Sequence, residues 1–163
     1  MRARHSLLVA LAALFTLVFS ACDYGETVTD PEYYVTEVNF TTSSATLSSD
    51  KKVLSQQYSV PAINDGTGAV LAFFLEQNTW TAMPYTYAVD DPQQQAVSYT
   101  ISLGHAFSDN RFEVFYESSA ADVDLRQQPS RTIRLVVLGN GAYKTGVDHS
   151  DWNAVKRAYG LRD

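Results

Sequence analysis

The sequence predicts an all-β fold: an antiparallel β-sandwich of about seven strands with a short C-terminal α-helix, preceded by a helical signal peptide. Three observations carry that expectation. Apolar residues alternate with polar ones at period two through most of the chain after Tyr33, which is the mark of strands with one buried face. Gly, Pro, Asn and Asp clusters interrupt these segments at sandwich-like spacing. Only the last dozen residues carry a helical stripe.

At the N-terminus a basic opening, Met1-Arg-Ala-Arg-His-Ser6, precedes an apolar run from Leu7 to Phe19 broken only by Thr16. That is the form of an export signal. A helix of this length rises about 20 Å, short of the roughly 30 Å hydrocarbon core that a permanent span must cross. Val18-Phe19-Ser20-Ala21-Cys22 looks like a bacterial lipobox, in which small residues precede a cysteine that takes a diacylglycerol on its sulfur; Phe19 stands where Leu is usual. Ordinary secretory cleavage after Ala21 would put the bulky Phe19 at a position that requires a small side chain. Residues 1–21 are therefore expected to be a lipoprotein signal and Cys22 the lipidation site. Cys22 is the only cysteine, so no intramolecular disulfide is expected and burial must hold the fold.

Residues 22–32 are polar and turn-rich, too poor in apolar side chains to offset their own ordering entropy, and are read as a tether. Residues 33–163 are read as one domain. In its first strand Tyr34, Thr36, Val38 and Phe40 share a face; in the second, Leu54, Tyr58 and Val60 do. Ala69 to Leu75 is apolar at nearly every position, the pattern of a strand covered on both faces. Trp80 to Tyr87 is β-prone but contains Pro84, which cannot donate a ladder hydrogen bond and so marks a sheet edge or bulge. Val97, Tyr99, Ile101 and Leu103 alternate cleanly with Ala96, Ser98, Thr100 and Ser102. Phe112, Val114 and Tyr116 repeat the design, with Phe115 interrupting the polar face. Ile133, Leu135 and Val137 make the last strand, with Arg134 opposite. A helix is expected at about 151–159, capped by Ser150 and ended by Gly160, with Trp152, Val155 and Tyr159 on one face. Its expected place is an open end of the sandwich.

Val60-Pro-Ala-Ile63, Gly68-Ala-Val-Leu-Ala-Phe-Phe74, Trp80-Thr-Ala-Met-Pro-Tyr-Thr86 and the closing Asp148 to Leu161 together resemble uncharacterised small lipoproteins and collagen-like-protein domains of Bacteroidota and their relatives. The resemblance implies a small β-rich exported domain. It brings no activity, cofactor or catalytic residue.

Charge narrows the partners. From Cys22 onward the chain keeps 18 acidic residues against 10 basic ones, because Arg2 and Arg4 leave with the signal. That balance argues against nucleic acid and against electrostatic adhesion to anionic lipid, both of which need clustered Lys and Arg. After the signal only His105 and His149 remain as histidines, and no Gly-x-Ser-x-Gly elbow occurs, so no nucleophilic set is expected. His105, after Gly104, reads as a loop residue. Asp148-His149-Ser150-Asp151 could offer metal ligands but reads equally as a helix start. Asp90-Asp91 and Asp122-x-Asp124 are candidates for a calcium loop without the spacing of a known one, and solvated turn acids are the simpler reading.

No cofactor, metal or catalytic residue is therefore expected. Trp80, Tyr85 and Tyr87, beside the proline-marked edge, form the candidate ligand or partner surface, where flat rings could stack on sugars or a partner protein; core packing explains the same rings and is the first expectation. The functional expectation is a lipid-anchored cell-envelope protein, held through its N-terminal lipid at the outer rather than the inner membrane, serving as a non-catalytic structural, adhesion or ligand-binding module for another envelope protein or a glycan. The alternatives are an envelope hydrolase acting on polysaccharide or peptidoglycan through paired carboxylates, and a subunit that joins a complex by strand pairing at the Pro84 edge.

Overall fold

In the computed structural model, which describes residues 33–91 and 96–162, two antiparallel sheets pack face to face and neither closes into a barrel. The signal segment, Cys22 and the tether lie outside the described residues. The strands are β1 (Tyr33–Phe40), β2 (Thr46–Leu47), β3 (Val53–Ser59), β4 (Thr67–Glu76), β5 (Thr79–Ala82), β6 (Tyr85–Asp91), β7 (Ala96–Ser108), β8 (Arg111–Ser118) and β9 (Arg131–Gly139); one helix, α1 (Trp152–Tyr159), follows them. The first sheet has the order β1-β9-β4-β5 and the second β2-β3-β8-β7-β6.

The period-two pattern builds the interior. Phe40, Leu54, Phe74, Ile101, Leu103, Phe112, Tyr116, Ile133 and Leu135 are all essentially inaccessible between the sheets. Burying one such side chain contributes about 1.5–3 kcal/mol, so with no disulfide expected these rings and branched chains are the main source of stability. Thr42, also buried, donates from its hydroxyl to the Gln128 carbonyl at 3.0 Å and from its backbone N–H to Ser130 Oγ at 3.2 Å. It thereby ties the β1–β2 link to the β8–β9 link.

The seven periodic segments appear as nine strands for two reasons. The Ser/Thr-rich stretch after β1 contains the short β2, paired through Thr46 with Ser55 and through Leu47 with Leu54. The aromatic segment around Pro84 is two strands: β5 lies at the edge of the first sheet and β6 at the edge of the second, with the chain crossing between them at the cis Met83–Pro84 peptide. Both halves are edges, as a proline without an N–H requires.

The helix stands elsewhere than the sequence suggests. Trp152, Val155, Tyr159 and Leu161 pack on Phe73, Val136 and Leu138, the outward residues of β4 and β9, so α1 covers the outer face of the first sheet and not an end of the sandwich. The reason lies in β9. Its outward Val136 and Leu138 are as buried as its inward Ile133 and Leu135, and an apolar sheet face needs a second layer. The cap also moves by one residue: Asp151, not Ser150, accepts the Asn153 N–H at 2.9 Å. Gly160 takes the left-handed conformation at φ 63° and Leu161 folds back, its N–H on the Lys156 carbonyl at 3.0 Å.

Phe115, the one break in the polar face of β8, sits across from Gly104 of β7. A Cβ on Gly104 would stand 2.6 Å from the ring carbons Cε2 and Cζ of Phe115; the glycine is the space into which the ring folds. Gly104→Ala is expected to destabilise the domain by about 1–3 kcal/mol, the usual cost of overpacking. Urea titration should show this loss, and a smaller one when the same change is made in a Phe115→Ala background.

Candidate functional site

Two neighbouring strands of the first sheet, β4 and β9, are joined by charge on the face turned toward the second sheet. Counting along β9 in steps of two from Val137 through Leu135 and Ile133 leads to Arg131, and along β4 from Val70 through Ala72 and Phe74 to Glu76. Each strand thus ends its inward face in an ion, and the two meet: Arg131 Nη2 donates to Glu76 Oε1 at 2.9 Å. Burial alone would disfavour the guanidinium charge, but hydrogen bonding and charge contacts with Tyr116 and Glu76 outweigh it and raise its pKa. Arg131 Nε lies 3.4 Å from the Tyr116 hydroxyl, and its guanidinium carbon stands 5.2 Å over the Phe74 ring.

From the second sheet, Tyr85 and Tyr87 reach the same space. They are two apart on β6 and so share a face, with ring centroids 6.2 Å apart; Tyr85 also lies 5.4 Å from Phe74. With Leu103 and Tyr116 these groups border a cavity of about 340 Å³, of which Phe74, Leu103 and Tyr116 form the buried floor. This is the lower end of the roughly 300–1,000 Å³ range of small-ligand pockets, and its mostly aromatic lining with a few convergent polar groups fits that class. Tyr85 is 40 % exposed, while the side chains of Glu76 and Arg131 are 39 % and 19 % exposed.

Two of the three phenol groups are held in place. Tyr87 donates its O–H to Gln128 Oε1, and Tyr116 donates to the Pro129 carbonyl at 2.9 Å. Burial pushes Tyr87 up to about 12 and raises Tyr116 as well, so both are neutral donors at ordinary pH. The lining contains one carboxylate, Glu76, and no histidine.

Of the three aromatic residues singled out from sequence, the structure brings Tyr85 and Tyr87 together and sends Trp80 to the opposite side of the first sheet. There Trp80 is half-buried against the helix cluster, its ring 4.2 Å from the Arg134 guanidinium and 6.2 Å from Trp152. Trp80 thus packs on the helix cluster and Tyr87 against the core between the sheets, while Tyr85 stays exposed. Phe74, Glu76, Leu103, Tyr116 and Arg131 were not anticipated; the signal for the two ions is that each sits on the inward parity of its strand.

The other polar candidates have local tasks. His105 is not a loop residue but lies within β7, its ring stacked on Phe112 at 5.6 Å. His149 stacks on Tyr143 at 4.2 Å and shares a hydrogen bond with the Tyr159 hydroxyl at 2.9 Å. Asp148 accepts from the Ser150 hydroxyl at 2.6 Å and from its N–H at 3.0 Å, while Asp124 caps a 3-10 turn at Leu125–Gln127 through the Arg126 N–H. Among the described residues no three His, Cys, Asp or Glu side chains come together as a metal set.

Comparison with known proteins returns no matching family model, no similar curated protein and no similar solved structure.

Burial lowers the pKa of His105 below its ordinary 6.5, against a smaller opposing contribution from the Val70 backbone, and its Nδ1 has no hydrogen-bond partner. On acidification the unfolded chain then takes up a proton that the native state resists, so the stability held above pH 6.5 is lost as pH falls through and below that value. Thermal unfolding between about pH 7.5 and 5 should show a steeper loss for the native sequence than for His105→Gln, the difference tracking the histidine and not the carboxylates common to both.

Proposed function

We propose that the chain is a lipid-anchored cell-envelope protein whose β-sandwich binds a small ligand, or the end of a larger one, without transforming it. The observation that carries the binding half is the aromatic cavity between the sheets. Its walls come from both sheets, its arginine and carboxylate are already paired, and the hydroxyls of Tyr87 and Tyr116 are fixed by Gln128 and Pro129. Such preorganised groups suit recognition, because little side-chain freedom remains to be lost on binding.

The anchoring half rests on sequence: the export signal, the lipobox-like Val18-Phe19-Ser20-Ala21-Cys22 and the absence of any other cysteine. Together with the resemblance to Bacteroidota lipoproteins, it supports an extracytoplasmic location with the outer membrane as the expected site. Hydrolysis by paired carboxylates would need a second acid across the cavity from Glu76. Arg131 occupies the position facing Glu76, which favours binding over cleavage.

The two halves are tested separately. In the native host the mature protein is expected to fractionate with membranes and to carry a diacylglyceryl group on Cys22 by intact mass, and Cys22→Ser is expected to lose both; an unmodified Cys22, or a mature start elsewhere, removes the anchor. For the binding half, an NMR fragment screen on the detergent-solubilised protein should return ring-shaped compounds that shift Tyr85, Tyr87 and Arg131. A screen whose hits all map elsewhere, or that yields none, defeats the cavity as a ligand site.

A further inference from the structure

Building on the binding reading, we infer that the cavity takes one uncharged saccharide ring, with the apolar face of the sugar on the exposed Tyr85 ring and its hydroxyls on the Arg131–Glu76 pair. The argument begins with charge. Arg131 and Glu76 face each other at 2.9 Å and cancel, and no other charged side chain lines the cavity. An anion at Arg131 would lie beside the Glu76 carboxylate, and a cation at Glu76 beside the Arg131 guanidinium, so neither sign meets an uncompensated counter-charge. Separating a partly buried ion pair leaves a charge uncompensated. The occupant is therefore neutral.

Hydrogen-bonding capacity narrows it further. Two of the three phenols spend their proton within the protein, Tyr87 on Gln128 and Tyr116 on Pro129, so toward the cavity these two oxygens act as acceptors, Tyr116 already toward Arg131 Nε. Glu76 has accepted one strong bond on Oε1, and a carboxylate accepts several. Arg131 has five N–H groups, of which Tyr116 and Glu76 engage two. The wall thus holds several acceptors, one multidentate donor and a phenol, Tyr85, that can do either. A matching ligand must bring several O–H groups that donate and accept, together with an apolar face for the Tyr85 ring. A polyhydroxylated ring does both, whereas a hydrocarbon would leave these polar groups unmatched and a purely polar ligand would waste the rings. The volume, about 340 Å³, suits one ring and not a run of them.

The source can be a free monosaccharide or the terminal residue of a glycan, and the experiment separates the two. The detergent-solubilised full-length protein is titrated, with Tyr85 and Arg131 NMR shifts as readout, against methyl glycosides of glucose, galactose, mannose and N-acetylglucosamine, against glucuronate and glucosamine, and against cyclohexanol. Matching oligosaccharides are added for any sugar that binds. At least one neutral glycoside should bind about tenfold tighter than its charged counterparts, and Tyr85→Ala and Arg131→Lys should each weaken it about tenfold while the melting temperature holds. Tighter binding of the oligosaccharide identifies a glycan end as the natural source, and equal binding identifies the free sugar. Cyclohexanol bound with no sugar bound overturns the saccharide while leaving the cavity a binding site. A preference for glucuronate or glucosamine likewise overturns the neutral class, and no binding by any probe overturns both readings.

Discussion

Burial of β9 on both faces is the constraint on which the rest of the structure depends. Flanked by β1 and β4, this strand turns Ile133, Leu135 and Val137 toward the other sheet and Val136 and Leu138 away from it, and all five are buried. A strand so composed cannot stand at a water interface, so α1 has to lie across the outer face. The helix is fixed in turn by Asp151 at its start, by Gly160 at its end and by the Tyr159 hydroxyl, which accepts the Lys144 N–H at 3.0 Å and pairs with His149. One outward position of β9 is charged. Arg134 reaches Glu37 of β1 at 2.6 Å and lies over the faces of Trp80 and Trp152 at 4.2 and 4.9 Å. A guanidinium at the border of an apolar layer is tolerable when its charge is paired and its flat faces rest on indole rings.

That outer layer also determines what is left open. Because α1 and Trp80 serve the outside of the first sheet, no helix residue contributes to the cavity between the sheets, whose closure falls to β6 and the Gln128–Pro129 segment. The crossing at Met83–Pro84 makes this division. Three residues before Tyr85 the chain still belongs to the first sheet, through Ala82 paired with Phe73; at Tyr85 it belongs to the second, paired with Leu103. A continuous aromatic run is thereby shared between a packing layer and a cavity wall.

Most of the sandwich was legible from alternation, since period two names the inward face of a strand independently of its partners. The both-sided burial of β4 was legible too, because Ala69 to Leu75 has no polar face to expose. The same property of β9 was not, because Arg134 and Thr132 disguise its outward face, and only Val136 and Leu138 reveal it. The helix stripe was plain, but the surface it covers could not be named while that face of β9 went unseen. His105 was misread because Gly104 suggests a strand end, whereas that glycine accommodates the Phe115 ring from the neighbouring strand, a contact no local pattern contains. The cavity was half visible. Tyr85 and Tyr87 stand out by composition and edge position, while Arg131 and Glu76 are separated by 55 residues and gain meaning only when β4 and β9 are known to be neighbours.

The cavity is where the domain forgoes stability. Residues 33–163 contain no cysteine, so the fold relies on burial, and natural domains of this size hold only about 5–15 kcal/mol in reserve. Space lined by Phe74, Tyr85 and Leu103 is space where packing contacts are missing. Placing Arg131 and Glu76 there adds the desolvation of two charges, which a well-packed apolar pair would avoid. Either cost alone is ordinary in a small protein. Their coincidence between the sheets, with the Tyr87 and Tyr116 hydroxyls anchored on Gln128 and Pro129, is what distinguishes this place from the helix cluster. There rings and an arginine also meet, with the Arg134 guanidinium set against Trp80 and Trp152. The two aromatic–arginine assemblies are built from the same residue types on opposite faces of one sheet: on the outer face two indoles flank the Arg134 guanidinium, and on the inner face Arg131 is held by Glu76 and Tyr116 beside the exposed Tyr85 ring.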